Sequence, residues 1–354
     1  MTGYAGISTM QIATWLITSA MLSAVLTWAA LAYARRLNLV DLPGQRRSHT
    51  APTPRGGGIG ICVAIVVCFV AMGLVSPGAA IAFRLVAAIA IVAIVGWIDD
   101  HRSLPIAVRL VAQIASVAIF LWPLVSAAFA EVGAGVFSGA VVALGILLFL
   151  GLWSINLHNF MDGIDGILAT QSIFVLTVLA WLCVPESNHS HALQIAVCAA
   201  AVVGFLPFNF PRARIFMGDV GSGALGLLIF IASIWQVSSA HPADACVLVA
   251  VSAFVTDATC TLLSRLFAGK RWYRPHREHL YQWMARAGMS HAAVVAWYAA
   301  WNLLIVLPII YLIRDDTGAR AWIEVAALYA LAISVWLYGK QWCLQTLKTK
   351  NPDA

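Results

Sequence analysis

The chain has 354 residues, 62% of them hydrophobic and only 10% charged, with a mean hydropathy of +0.88. A water-soluble domain carries about 25% charged residues, so this composition excludes a soluble globular protein. The formal charge of +6 and pI of 9.1 come from Lys and Arg clustered between long apolar runs. That is the pattern of membrane orientation and phosphate binding, and it gives no reason to expect nucleic acid as a partner.

Apolar runs of roughly 17 to 25 residues are long enough to cross a bilayer core. They predict an all-α, polytopic transmembrane helical bundle of about 10–11 spans. The approximate limits are 8–34, 57–75, 79–98, 106–122, 136–153, 167–184, 192–208, 221–238, 244–264, 293–313 and 320–338. The first run lacks a basic leader and a small-residue cleavage site, so it is expected to be a span and not a signal peptide. The sequence contains no internal repeat or extramembrane domain, and 1–354 is expected to form one integral membrane domain with a short tail from 339. Seven cysteines, mostly inside apolar runs and without a CxxC pair, are expected to be small buried residues.

The odd-numbered loops and the tail hold most of the cations. Loop one carries Arg35, Arg36, Arg46, Arg47 and Arg55, loop three Arg102, and loop seven Arg212 and Arg214. Loop nine adds Arg265, Lys270, Arg271, Arg274, Arg277 and Arg286, and the tail Lys340, Lys348 and Lys350. By the positive-inside rule these loops and the C-terminus are cytoplasmic and the N-terminus is outside.

The same loops collect the chemistry. Asp99 and Asp100 end span three; Asn156, His158, Asn159, Asp162 and Asp165 fall in loop five. Asp219 precedes span eight, and His276, Arg277, Glu278 and His279 lie in loop nine. Carboxylates, amides and guanidiniums on one membrane face suit Mg²⁺ and a phosphorylated substrate. Simpler structural roles compete: Asp99 and Asp100 as a solvated helix end, the Asn and Asp residues as helix caps, and Gly56–Gly58 as a close-packing segment. Steps of three residues from Asn156 to Asp165 drift round a helix, and Gly163 and Gly166 interrupt them, which favours a loop or broken helix. His158 has no evident partner and is expected to be structural.

Five segments then carry a resemblance: LVDLPGQRRSHTAPTPRGGGIGI (39–61), GWIDDHRSLP (96–105), NLHNFMDGIDGILA (156–169), FNFPRARIFMGDVGSGALG (208–226) and PHREH (275–279). In this order they resemble the polyprenyl-phosphate N-acetylhexosamine-1-phosphate transferases. That family includes the bacterial GlcNAc-1-phosphate and MurNAc-pentapeptide-phosphate transferases. The resemblance implies transfer of HexNAc-1-phosphate from a UDP-N-acetylhexosamine to undecaprenyl or another polyprenyl phosphate. UMP leaves, and a lipid-linked glycan such as O-antigen begins. The implied cofactor is Mg²⁺, with Mn²⁺ as a substitute, the implied location is the bacterial inner membrane, and a homodimer is left open.

Carried over residue by residue, the resemblance makes Asp219 and Asn159 the metal ligands and Asp99, supported by Asp100, the group acting on the lipid phosphate. Arg109 would bind that phosphate. Asn156, Asp162 and Asp165 would organise nucleotide and metal, while Asn209, His276, Arg277 and His279 would contact diphosphate or sugar. His49 and Arg55 are further phosphate candidates. PHREH departs from the multi-histidine stretch of many relatives and looks closer to O-antigen-initiating members, some of which use 6-deoxy sugars. It argues against the MurNAc-pentapeptide donor. A transporter is the alternative of another class, disfavoured because the polar groups gather on one face and not at the midplane. Asp257, inside span nine, is expected either to pair with Arg109 or to form a structural ion pair.

Overall fold

The computed structural model describes residues 8–37, 40–41, 52–75, 79–131, 137–183, 189–237, 244–271, 276–316 and 318–350. Helices α1 (Thr9–Arg36), α2 (Gly58–Val75), α3 (Ala79–His101), α4 (Ile106–Glu131) and α5 (Phe137–Phe160) open the chain. They are followed by α6 (Ile167–Leu182), α7 (His189–Asn209) and α8 (Asp219–Val237). The last third holds α9 (Asp244–Ala250), α10 (Ser252–Phe267), α11 (Leu280–Arg286), α12 (His291–Trp301), α13 (Leu307–Ile313) and α14 (Ala319–Lys350). The only strands among the described residues are β1 (Val40–Asp41) and β2 (Thr53–Pro54), which pair antiparallel.

Nine helices among the described residues are long and apolar enough to cross a membrane, and the bent pair α9–α10 makes a tenth candidate. The 16-residue α6 is shorter but equally apolar. The chain is therefore a multi-pass, all-α membrane protein. Its outer surface carries bare large hydrophobics such as Phe149, Leu304 and Ile323, as lipid contact requires.

Spans nine and ten and the tail differ in form from the expectation. Span nine is broken, with α9 and α10 meeting at 64°. Span ten is one continuous rod in which a π-helical turn, Asn302–Val306, joins α12 to α13. The expected tail from 339 is helical: α14 runs on to Lys350, and the Lys350 ammonium donates to the Ala287 carbonyl at 2.7 Å.

Helix α8 is the axle of the bundle, buried along most of its length between α3, α5, α2 and α6. Small residues bring neighbouring backbones close, the usual device where no water drives association. A Cβ on Gly96 of α3 would lie 2.6 Å from the Asp219 carbonyl carbon and oxygen, and one on Gly226 of α8 2.7 Å from Ile155 Cα in α5. The functional consequence is that the ends of α3, α5 and α7 and the starts of α2, α6 and α8 converge at one end of the bundle.

Candidate active site

The convergence is built from backbone outward. Residues 54–58 lie along 216–217: Phe216 N donates to Pro54 O at 2.8 Å, Gly57 N to Phe216 O at 2.9 Å and Gly58 N to Met217 O at 2.8 Å. A Cβ on Gly58 would sit 2.4 Å from Gly221 Cα. The glycine run thus presses the first loop against the segment holding Asp219 and carries Arg55 inward, where its charge acts on Asp100 and Asp162. Close packing and site assembly are here one role.

At the end of α3, Asp100 turns towards the start of α8. Its Oδ1 accepts from Asp219 N at 3.0 Å and its Oδ2 from Val220 N at 3.2 Å. A carboxylate from another helix therefore caps α8 and meets its positive end. The carboxylate of Asp219 is left to face the cluster: its Oδ1 accepts from the Asn159 amide at 3.0 Å, and Asn159 also donates to Ser222 Oγ at 2.9 Å. Arg109, from the first turn of α4, places Nη1 3.0 Å from Asp99 Oδ2 and 3.4 Å from Asp219 Oδ2. Asp99 is fixed in turn by Leu104 N at 2.5 Å.

Helix α5 extends to Phe160, beyond the expected limit of 153, so Asn156, His158 and Asn159 are helical and not loop residues. Apolar neighbours continue the helix until Gly163 and Gly166 allow it to turn; Gly166 takes φ +77°. Only Asp162 and Asp165 lie in the turn. Burial, and then the charges of Asp219 and Asp100, push the Asp162 carboxyl up to about 8. Asp165 is 3.2 Å from His291 Nδ1 of α12.

Several expected site residues are used otherwise. Asn156 donates to Gln113 Oε1 at 2.9 Å and to Leu152 O at 2.8 Å, sideways towards α4. Asn209 is buried and spends its amide on backbone, accepting from Gly166 N at 2.9 Å and donating to Ile215 O at 3.1 Å. It braces two site loops together. His279 is also buried, stacked between the Phe160, His276 and Tyr281 rings, and presents no face to a sugar in this geometry. His276 is half-buried beside it; burial and then the neighbouring His279 lower its imidazole to about 4, so it is neutral at physiological pH. Arg277 lies next to it, its carbonyl 3.5 Å from Arg286 Nη1. His158 packs against Phe254 with Nδ1 2.7 Å from Ser154 O. Asp257 does not pair with Arg109; its hydrogen-bond donors are in α10, α11, α12 and α14, and His279 Nδ1 lies 3.9 Å from its Oδ1. His49 lies outside the described residues.

Sequence reasoning missed Ser222, Gln113 and His291. Ser222 stands one helical turn after Asp219 and was legible; nothing local marks the other two.

The donor set fits Mg²⁺. Asp219, Asp99, Asp162 and Asn159 offer hard oxygens, and the Asp162 carboxyl is raised by burial first and then by the charges of Asp219 and Asp100. Among the described residues no three His, Cys, Asp or Glu side chains form a group that could by itself hold a metal ion. Mg²⁺ requires no such group, since it binds through one or two carboxylates and keeps positions for substrate phosphates.

Comparison with known proteins matches the helices that meet at this site. The glycosyl transferase family 4 model matches residues 82–237, from α3 through α8. The decaprenyl-phosphate N-acetylglucosaminephosphotransferase of Mycobacterium tuberculosis (strain CDC 1551 / Oshkosh) is 28% identical over 329 residues, covering 84% of this chain and 81% of the relative. The undecaprenyl-phosphate alpha-N-acetylglucosaminyl 1-phosphate transferase of Yersinia pestis is 26% identical over 350 residues, covering 93% and 91%. The phospho-N-acetylmuramoyl-pentapeptide-transferase of Leuconostoc mesenteroides is 30% identical over 245 residues, covering 62% of this chain and 75% of the relative. With these matches spanning the helices that build the carboxylate cluster, the chain is a membrane transferase and belongs to glycosyl transferase family 4, the polyprenyl-phosphate N-acetylhexosamine-1-phosphate transferases.

Proposed function

We propose that this protein transfers HexNAc-1-phosphate from a UDP-HexNAc to a polyprenyl phosphate, with Mg²⁺, at the cytoplasmic face of the bacterial inner membrane. The observation that carries the reading is the sharing of one guanidinium nitrogen, Arg109 Nη1, by Asp99 and Asp219. Asp219 belongs to the proposed metal side and Asp99 to the lipid side, so Arg109 stands where the two substrates would meet.

A lipid phosphate oxygen attacks the phosphorus that bears the sugar. The bond from that phosphorus to the bridging oxygen breaks, and UMP leaves with the electron pair. The lipid phosphate is already ionised, so no protein nucleophile is required. Bound Mg²⁺ would supply charge neutralisation on the pyrophosphate, held by Asp219 and Asn159 with Asp162 behind them. Arg109 would exchange its carboxylate partners for the lipid phosphate, and Asp99, freed from Arg109, would orient that phosphate or take a remaining proton. Arg55 adds a second positive charge facing the cluster.

The donor is proposed to lack a peptide and to be GlcNAc or a 6-deoxy relative such as FucNAc or QuiNAc, because the 276–279 loop offers one half-buried neutral imidazole, His276, where many relatives have a histidine cluster. The cytoplasmic assignment rests on the basic loops sharing the end of the bundle that carries the carboxylates.

Membranes containing the protein should convert UDP-GlcNAc, or a 6-deoxy UDP-HexNAc from a panel, into lipid-linked product with stoichiometric UMP. Preferred turnover of UDP-MurNAc-pentapeptide would overturn the donor assignment, and absence of any lipid-linked product the reaction. Cysteine labelling should find positions beside Arg214 and Lys348 inside and beside Asp316 outside; the reverse pattern would overturn the orientation.

A further inference from the structure

Behind the carboxylate cluster stands a second polar construction that the reaction does not use directly. Asp257 of α10 is buried within the bundle, yet it accepts from five donors. Leu280 N (2.7 Å), Trp336 Nε1 (3.1 Å) and Thr261 Oγ1 (3.2 Å) reach Oδ1, while Tyr298 OH (2.7 Å) and Tyr281 N (3.3 Å) reach Oδ2. A buried carboxylate is tolerated only when its oxygens are so satisfied. Two of the donors are the first backbone amides of α11, so Asp257 anchors that short helix to α10, α12 and α14.

From this anchor Tyr281, itself fully buried, reaches across to α5. Its hydroxyl donates to Phe160 O at 2.9 Å and accepts from the Gln282 amide at 3.0 Å. Phe160 is the last residue of α5 and follows Asn159; the turn with Asp162 comes next. The contact tolerates no side chain at Gly163, where a Cβ would lie 2.1 Å from the Tyr281 hydroxyl oxygen. On the other side, Glu278 is gripped by Arg265 and by Lys270, whose Nζ is 3.2 Å from both carboxylate oxygens. Helix α11 is thus fixed at both its entry and its start, and its one rigid arm ends on the α5–α6 turn.

We propose that Tyr281, held by Asp257, is a positioning residue for the transfer: its hydroxyl fixes the end of α5 and so sets Asn159 and Asp162 for the divalent cation. The inference rests on the reading of the site as a Mg²⁺-dependent transferase. It assigns Tyr281 no contact with substrate. It also joins the 276–279 loop and the cation side into one mechanical unit, since both ends of that unit depend on α11.

The test is Tyr281→Phe in the purified full-length protein in lipid nanodiscs. The ring stays and only the hydroxyl goes. Mn²⁺ affinity, read from the free-ion EPR signal, should fall about tenfold, the low end for losing a partner that orients a metal ligand. The Mg²⁺ concentration for half-maximal transfer should rise by the same factor, with KM for polyprenyl phosphate unchanged. A role in folding alone would lower yield and thermal midpoint but leave the Mn²⁺ affinity of the folded molecules at the wild-type value, and that result overturns the proposal. Should Tyr281→Phe not fold, Asp257→Asn takes over the same readout. It keeps the side-chain shape but loosens the grip on α11; weakened Mn²⁺ binding supports the inference and wild-type binding overturns it. A wild type that binds Mn²⁺ but transfers nothing would bring down the reaction and leave the positioning role to be judged by the Mn²⁺ measurement. A wild type that binds no Mn²⁺ overturns both.

Discussion

Asp100 and Asp219 are 119 positions apart in sequence, yet the carboxylate of the first accepts a hydrogen bond from the backbone N–H of the second at 3.0 Å. The last turn of α3 thereby caps α8, and the Asp219 side chain is released from capping its own helix. Two consecutive aspartates have separate tasks: Asp99 faces Arg109 and Asp100 aims Asp219.

Asp100→Ala should therefore cost stability as a lost cap does, about 1 kcal/mol, and lower turnover further by letting Asp219 move. Asp100→Asn retains an acceptor oxygen and should fall between Ala and wild type in both respects. Thermal unfolding and turnover on the same preparations check this. Equal stability of all three proteins would show that α8 does not depend on the cap.

Asn209 offers a contrasting case, because its amide is committed to Gly166 N and Ile215 O. Asn209→Leu should lower stability by about 1–3 kcal/mol, the cost of leaving such buried groups unpaired. A ligand contact would behave differently, raising KM for the UDP-sugar at unchanged stability.

The spans, the shared end of the bundle and the aspartates were legible in the sequence. They are written as long apolar runs, clustered cations and short motifs whose spacing is local. The hydrogen-bond partners of Asn209, Asp257 and Tyr281 were not legible. Each acts through a partner far along the chain, and a buried polar residue looks the same in sequence whether it meets ligand or backbone. The break in span nine was hidden for a related reason: no Pro or Gly within 244–264 marks the 64° bend.

Asp162 makes stability depend on pH in a direction opposite to most carboxylates. Its carboxyl is raised to about 8 by burial and then by Asp219 and Asp100. Between the ordinary carboxylate range and about pH 8 the unfolded chain has lost this proton while the folded chain keeps it, so metal-free stability falls as pH rises through that window. Asp162→Asn should remove this component. In EDTA the variant should be more thermostable than wild type at pH 8, and the gap should close towards pH 4. A gap that stays constant with pH would contradict the charge crowding.

Asp99→Asn should reduce turnover far more than it weakens nucleotide binding, because Asp99 sits on the side of Arg109 assigned to the acceptor. Turnover and UDP affinity, measured by calorimetry, separate the two effects. Parallel losses would place Asp99 with the nucleotide.

Asp219 is the proposed metal ligand. Asp219→Asn preserves shape, and the cap of α8 stays with Asp100, so the variant should insert and fold normally. The decisive measurement is Mg²⁺-dependent UDP-sugar binding and transfer by this variant at wild-type expression and thermal midpoint. The account predicts that both are nearly abolished, whereas substantial Mg²⁺-dependent turnover by Asp219→Asn would contradict it.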